Sequence, residues 1–141
     1  MSAPDDYVLE DQIGFRLRKA HQRASEIFST VMGEFEITPT QFAALSKLFE
    51  TGPLPQNQLG RLTAMDPATI FGVVGRLTKR GLVRQETNEA DGRMLLVSLT
   101  PAGEAVAARM RALGPEVSRQ TLAPLSKREA ETLLRLIARI G

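Results

Sequence analysis

Among the five long cations and three threonines of the stretch 66–93 are Arg76, Lys79 and Arg93, and Thr69. Arginine and lysine meet phosphate oxygens or the acceptor edge of guanine, and a threonine hydroxyl serves a phosphate or a base edge. Ala68 is small enough to touch a thymine methyl group, and Pro67 before it suits the first turn of a helix. Upstream, Gln56, Asn57 and Gln58 are neutral donors that either hold phosphates beside a helix amino end or form a solvated cap. This inventory suits recognition of a polyanion. Bond-breaking chemistry has little to work with: there is no cysteine, one histidine (His21), no phosphate-binding glycine loop and no suggestive carboxylate pair. Neither an enzyme nor a bound metal or cofactor is expected.

Such side chains read a duplex only when an element holds them in register. Asp66 is placed to cap free amides, and Ile70, Val73, Val74 and Leu77 fall three to four residues apart, which predicts a helix over 67–79 closed by Gly81. Off its apolar face lie Ala68, Thr69, Gly72, Gly75, Arg76 and Lys79; Phe71 either packs inward against the following strands or faces outward. A shorter helix over 55–62, with Leu59 and Leu62 turned inward, precedes it by about four residues, the spacing of a helix-turn-helix. Residues 82–86 and 95–99 read as strands around a polar turn holding Asp91, Gly92 and Arg93. That hairpin is a candidate wing.

Long helices flank this centre. Ile13, Leu17, Ala20, Ala24, Ile27, Phe28 and Val31 mark a helix over about 8–33 whose other face carries Arg16, Arg18, Lys19 and Arg23. Thr38, Pro39 and Gln41 supply a cap, a first-turn proline and a capping-box partner for a helix to about residue 50. Thr100 and Pro101 open another, striped by Val106, Met110, Leu113 and Val117, which Gly114 and Pro115 should bend or interrupt. Ser126 and Glu129 box the last helix, apolar at Leu133, Leu136, Ile137 and Ile140. The terminal helices are more apolar than a small wing unit can cover. They either pair with a second copy or pack on their own core, and pairing is the expectation. The fold class is therefore mainly α with a small two- to three-stranded β wing: a single domain over 1–141, winged helix-turn-helix over about 37–100, dimerisation helices over 8–33 and 101–141.

The 141 residues bury one ordinary core. Net charge is only +2, distributed as −3 over residues 1–50, +2 over 51–100 and +3 over 101–141, so charge alone decides nothing about partners. No apolar run approaches the roughly 20 residues that span a bilayer, and the acidic start lacks the features of a secretory signal. A cytoplasmic protein without membrane contact is expected.

Several strings then fit one pattern: ITPTQFAAL over 37–45, LGRL over 59–62, RLTKRGLVR over 76–84, and Asp91-Gly92-Arg93 followed by VSLTPAG over 97–103. In order and spacing they resemble the MarR family of bacterial transcriptional regulators. The resemblance implies a homodimer that binds palindromic operator DNA, usually as a repressor, until a small effector releases it. It implies that the helix over 67–79 enters the major groove and that Arg93 reaches the minor groove, whose concentrated negative potential attracts a long cation. Asp91 would fix the wing by pairing with Arg61 or Arg93, or form an Asx turn. Phe71 and Gly72 depart from the polar residues often found there, which points to sparse hydrogen-bond readout. The family's effector pocket maps to Arg16, Lys19, His21 and Arg23 with Phe42, Ser46 and Phe49, a cationic and aromatic lining suited to an aromatic carboxylate or its coenzyme A thioester. Another function class remains open: a winged-helix module that binds proteins without reading DNA.

Overall fold

The computed structural model describes residues 5–87, 92 and 94–141. In chain order these form α1 (Ile13–Met32), α2 (Pro39–Thr51), β1 (Leu54–Pro55), α3 (Gln56–Leu62), α4 (Pro67–Lys79), β2 (Val83–Thr87), β3 (Leu95–Leu99), α5 (Pro101–Leu122) and α6 (Lys127–Ile140). Short 3-10 turns at Leu9–Asp11 and Gly33–Phe35 flank α1. The chain falls into two compact units, Met32–Pro115 and the pair of segments Met1–Val31 and Glu116–Gly141.

Local chemistry sets the element ends in the central unit. The Thr38 hydroxyl accepts from the Gln41 amide at 3.2 Å while the Gln41 side chain accepts from the Thr38 amide at 3.1 Å, a complete capping box on α2. The Asp66 carboxylate accepts from the Thr69 amide at 2.7 Å and starts α4. At its far end Gly81 takes φ 72°, which lets the amides of Gly81 and Leu82 reach the carbonyls of Thr78 and Leu77, both at 3.0 Å. That Schellman closure turns the chain directly into β2.

The sheet is antiparallel with order β1-β3-β2 and pairs Val83 with Leu99 and Leu54 with Val97. Its third strand takes Leu54 and Pro55, so the helix expected from residue 55 begins at Gln56. Inside lie Leu45 and Leu48 of α2, Leu59 of α3, Ile70, Val73, Val74 and Leu77 of α4, Val83 and Val97 of the strands, and Met110 of α5. Leu62 corrects an expectation: it is 49% exposed. The buried side of α3 is centred on Leu59 and Gly60, and a Cβ on Gly60 would meet Ile70 Cγ2 at 3.0 Å, so the helices touch there and Leu62 is turned away.

One hydroxyl joins three element ends. Thr100 donates to the Gly81 carbonyl at 2.6 Å and accepts from the Gly103 amide at 3.0 Å, while its own amide donates to the Leu82 carbonyl at 3.1 Å. The start of α5 consequently lies so close to Leu82 that only glycine fits at position 103. Gly114 and Pro115 do not interrupt α5, which continues to Leu122 although Pro115 has no amide to donate.

The other unit is built differently. Among its described residues Phe28 is the one buried hydrophobic side chain, whereas Leu133, Leu134, Leu136, Ile137 and Ile140 of α6 are exposed. Its local structure is well specified all the same, with a complete capping box between Ser126 and Glu129. Among the described residues no helix is long and apolar enough to cross a membrane.

Candidate nucleic-acid interface

α4 buries one side and presents the other. At about 100° per residue Ile70, Val73, Val74 and Leu77 share a narrow arc, and Phe71 falls about 100° away from its centre. The ring is 71% exposed, which rules out packing against the strands. Pro67, Ala68, Thr69, Gly75, Arg76 and Lys79 are exposed too, and Gly72 lies half-buried beneath the Arg76 guanidinium. Thr69 has another use. Its amide donates to the Asp66 carboxylate at 2.7 Å, and amide and then hydroxyl hold that carboxyl below the usual carboxylate range.

The α3 donors divide. Gln56 is half-buried and accepts from the Gln85 side chain of β2 at 3.2 Å, tying the helix to the wing; Asn57 and Gln58 remain exposed, and the Asn57 oxygen accepts from the Gln58 amide at 3.0 Å. Arg61 is exposed. Asp91 and Arg93 lie outside the described residues, and with them the pairing of Asp91 to Arg61 or Arg93.

Two arginines that periodicity does not single out hold the unit together. Arg80 donates to the carbonyls of Glu36 at 2.5 Å and Phe35 at 2.9 Å. Arg111 donates to the Ser46 hydroxyl at 2.5 Å and to Glu50 at 2.7 Å, and lies 5.1 Å from the Phe49 ring centroid. Ser46 and Phe49, expected to line an effector pocket, are therefore in contact with a cation of α5; Phe42 beside them is half-buried. Hydrogen bonds from Arg111 and then Lys47 pull the Glu50 carboxyl down to about 2 from an ordinary 4.5. Because its folded pKa is depressed, this tie stabilises fully above pH 4.5 and is lost as pH falls towards 2. Urea midpoints between pH 5 and pH 2 should accordingly fall more steeply for the natural protein than for Glu50→Gln; parallel curves would remove the tie from the account.

The remaining effector candidates lie in the other unit. A cleft of about 580 Å³ is lined by Arg16, Lys19 and Arg23 of α1 together with Leu122, Leu125 and Leu133. Arg23 is committed, donating to the carbonyls of Thr121 at 2.6 Å and Gln120 at 2.9 Å. The side chains of Arg16 and Lys19 have no hydrogen-bond or ion-pair partner among the described residues. His21 does not line the cleft; its Nε2 lies 3.5 Å from the Ser25 hydroxyl. No group of three or more metal-ligating side chains gathers among the described residues.

A seven-residue helix, a four-residue turn, a capped second helix and a three-stranded sheet beside it define a winged helix-turn-helix. Residues 37–95 match the MarR family model. The chain is 35% identical to the HTH-type transcriptional repressor NicR of Pseudomonas putida, over 99% of its own length and 90% of that protein. A probable transcriptional regulator from Pseudomonas aeruginosa superposes with a TM-score of 0.90 at 57% identity, covering 95% of this chain and 100% of the other. BpsR of Bordetella bronchiseptica, whose DNA binding is regulated by 6-hydroxynicotinic acid, superposes with a TM-score of 0.89 at 31% identity, covering 96% and 97%. The chain belongs to the MarR family of winged-helix, DNA-binding transcriptional regulators.

Proposed function

We propose that the protein is a homodimeric repressor of palindromic operator DNA, released when an aromatic carboxylate enters the cleft beside Arg16 and Lys19. The outward face of α4 carries the DNA assignment: its whole inner side is consumed by the core, and Arg76 and Lys79 stand exposed on a rigid, capped helix. Asn57, Gln58 and the amino end of α4 supply phosphate contacts, and Arg93, between β2 and β3, is assigned to the minor groove, with Asp91 steadying it. Two copies would set their α4 helices about 34 Å apart, one per half-site. Among the described residues of the terminal-helix unit one hydrophobic side chain is buried, which supports the dimer, because that unit has too little core of its own. The repressor NicR and the regulation of BpsR by 6-hydroxynicotinic acid support the direction of control and the effector class. Such a protein acts in the cytoplasm.

Fluorescence anisotropy on a duplex selected from a randomised library tests this. Log affinity should fall linearly with log salt, by about 0.9 for each phosphate neutralised. Added 6-hydroxynicotinic acid should weaken binding at least tenfold and raise the thermal midpoint of the free protein, because a ligand of the folded form stabilises it. Arg16→Ala with Lys19→Ala should abolish both responses and leave operator affinity intact. Weak binding equal for all duplexes would sink the regulator. A midpoint that moves only with coenzyme A thioesters, or with neither class, would sink the carboxylate.

A further inference from the structure

We infer that Phe71 reads the methyl group of a thymine in each operator half-site, so that apolar contact carries base specificity along the middle of α4. This rests on the DNA-binding role proposed above and goes beyond it by naming what the helix reads. Ala68, Phe71, Gly72 and Gly75 follow one another at spacings of three, one and three along the outward face, and Arg76 and Lys79 stand only at its carboxyl end. Thr69, the one hydroxyl at the start of that face, lies in the first turn, where its amide donates to Asp66 at 2.7 Å. Between Thr69 and Arg76 no side chain of the helix carries a hydrogen-bonding group.

A phenyl ring laid against the polar edge of guanine, adenine or cytosine strips water from groups that it cannot pair. The thymine 5-methyl is the one methyl group in the major groove of unmodified DNA, and phenylalanine is among the side chains that meet it. Of the neighbouring glycines, Gly72 lies under the Arg76 guanidinium, whereas a Cβ on Gly75 would meet nothing within 4 Å, so at Gly75 the helix surface is bare backbone that can approach the bases closely. The ring itself makes no cation or aromatic contact within the protein among the described residues, and it is exposed to a degree that a core role would not allow. The cations flanking its carboxyl side complement phosphates, which favours a duplex over an apolar protein partner.

The test begins with duplexes selected by the full-length protein from a randomised library and remakes the winner with deoxyuridine replacing thymine, one position at a time. The only change is the loss of a methyl group. One thymine per half-site should be sensitive, its replacement weakening binding roughly fourfold, and about fifteenfold when both half-sites are changed, the value of burying one methyl group per site. Replacing that thymine·adenine pair with 5-methylcytosine·guanine should retain more affinity than replacing it with cytosine·guanine. Phe71→Ala, folded by circular dichroism, should bind the thymine and deoxyuridine duplexes equally with an unchanged salt slope; Phe71→Leu should keep part of the difference. Lys79→Ala should do the reverse, lowering the salt slope by about one and keeping the difference. Sequence-specific binding indifferent to deoxyuridine at every position, or a methyl effect that survives Phe71→Ala, overturns the inference while leaving the regulator standing. Failure to enrich any sequence overturns both.

Discussion

Gly103→Ala is expected to destabilise the central unit by about 3 kcal/mol or more, enough to remove much of the stability of an ordinary domain. A Cβ built at this position overlaps the Leu82 carbonyl, which is main chain and cannot rotate aside. That carbonyl already accepts the Thr100 amide, and the Thr100 hydroxyl holds the Gly81 carbonyl, so relief by backbone movement would pull apart the closure of α4, the end of β3 and the first turn of α5. The informative control is Gly75→Ala, another helical glycine, with open space where the methyl would go. There the same substitution should stabilise by about 0.5–1 kcal/mol through helix propensity and a less mobile unfolded chain. Urea midpoints for the two variants should therefore move in opposite directions. A Gly103→Ala midpoint equal to that of the natural protein would mean that α5 does not lie against Leu82.

Charge placed on α6 should have the second large effect. Leu134→Glu with Ile137→Glu introduces two carboxylates into the exposed apolar side that the proposed dimer covers. Burying each aliphatic side chain is worth about 1.5–3 kcal/mol, and a carboxylate in its place must also be desolvated. Sedimentation should show monomers, and affinity for a two-half-site operator should drop by about two orders of magnitude or more, since the second half-site is no longer bound at high effective concentration. Binding to an isolated half-site should barely change. A variant that stays dimeric would show that α6 is not where the copies meet.

How far these features are legible in the sequence depends on how local their causes are. Thr38 with Gln41, Asp66 before Pro67, Gly81, and Ser126 with Glu129 act within a few residues, and each sits in the structure where its type and spacing place it. The inner arc of α4 is legible because four apolar residues share one period. Phe71, one step outside that arc, is left undecided by sequence because a phenylalanine is at home on either side. Leu62 misleads because α3 is too short for a period to locate its buried side, which the contact of Gly60 with Ile70 sets instead. Two residues of β1 are too few to show alternation. Arg80 and Arg111 are invisible to any local rule, since they bond to partners 44 and 65 residues away. The effector candidates follow from the family pattern, and the structure divides them: Arg16, Lys19 and Arg23 share a cleft, while Ser46 and Phe49 belong with Arg111.

The knot at Thr100 has a calorimetric consequence. Because one hydroxyl and its own amide fasten the end of α4, the end of β3 and the start of α5, the helix proposed to read DNA and the base of the hairpin are held in place without a duplex. Little ordering entropy is then lost by this unit on association, and the heat-capacity change it contributes should track the apolar area in contact with the bases, without the larger signature of coupled folding.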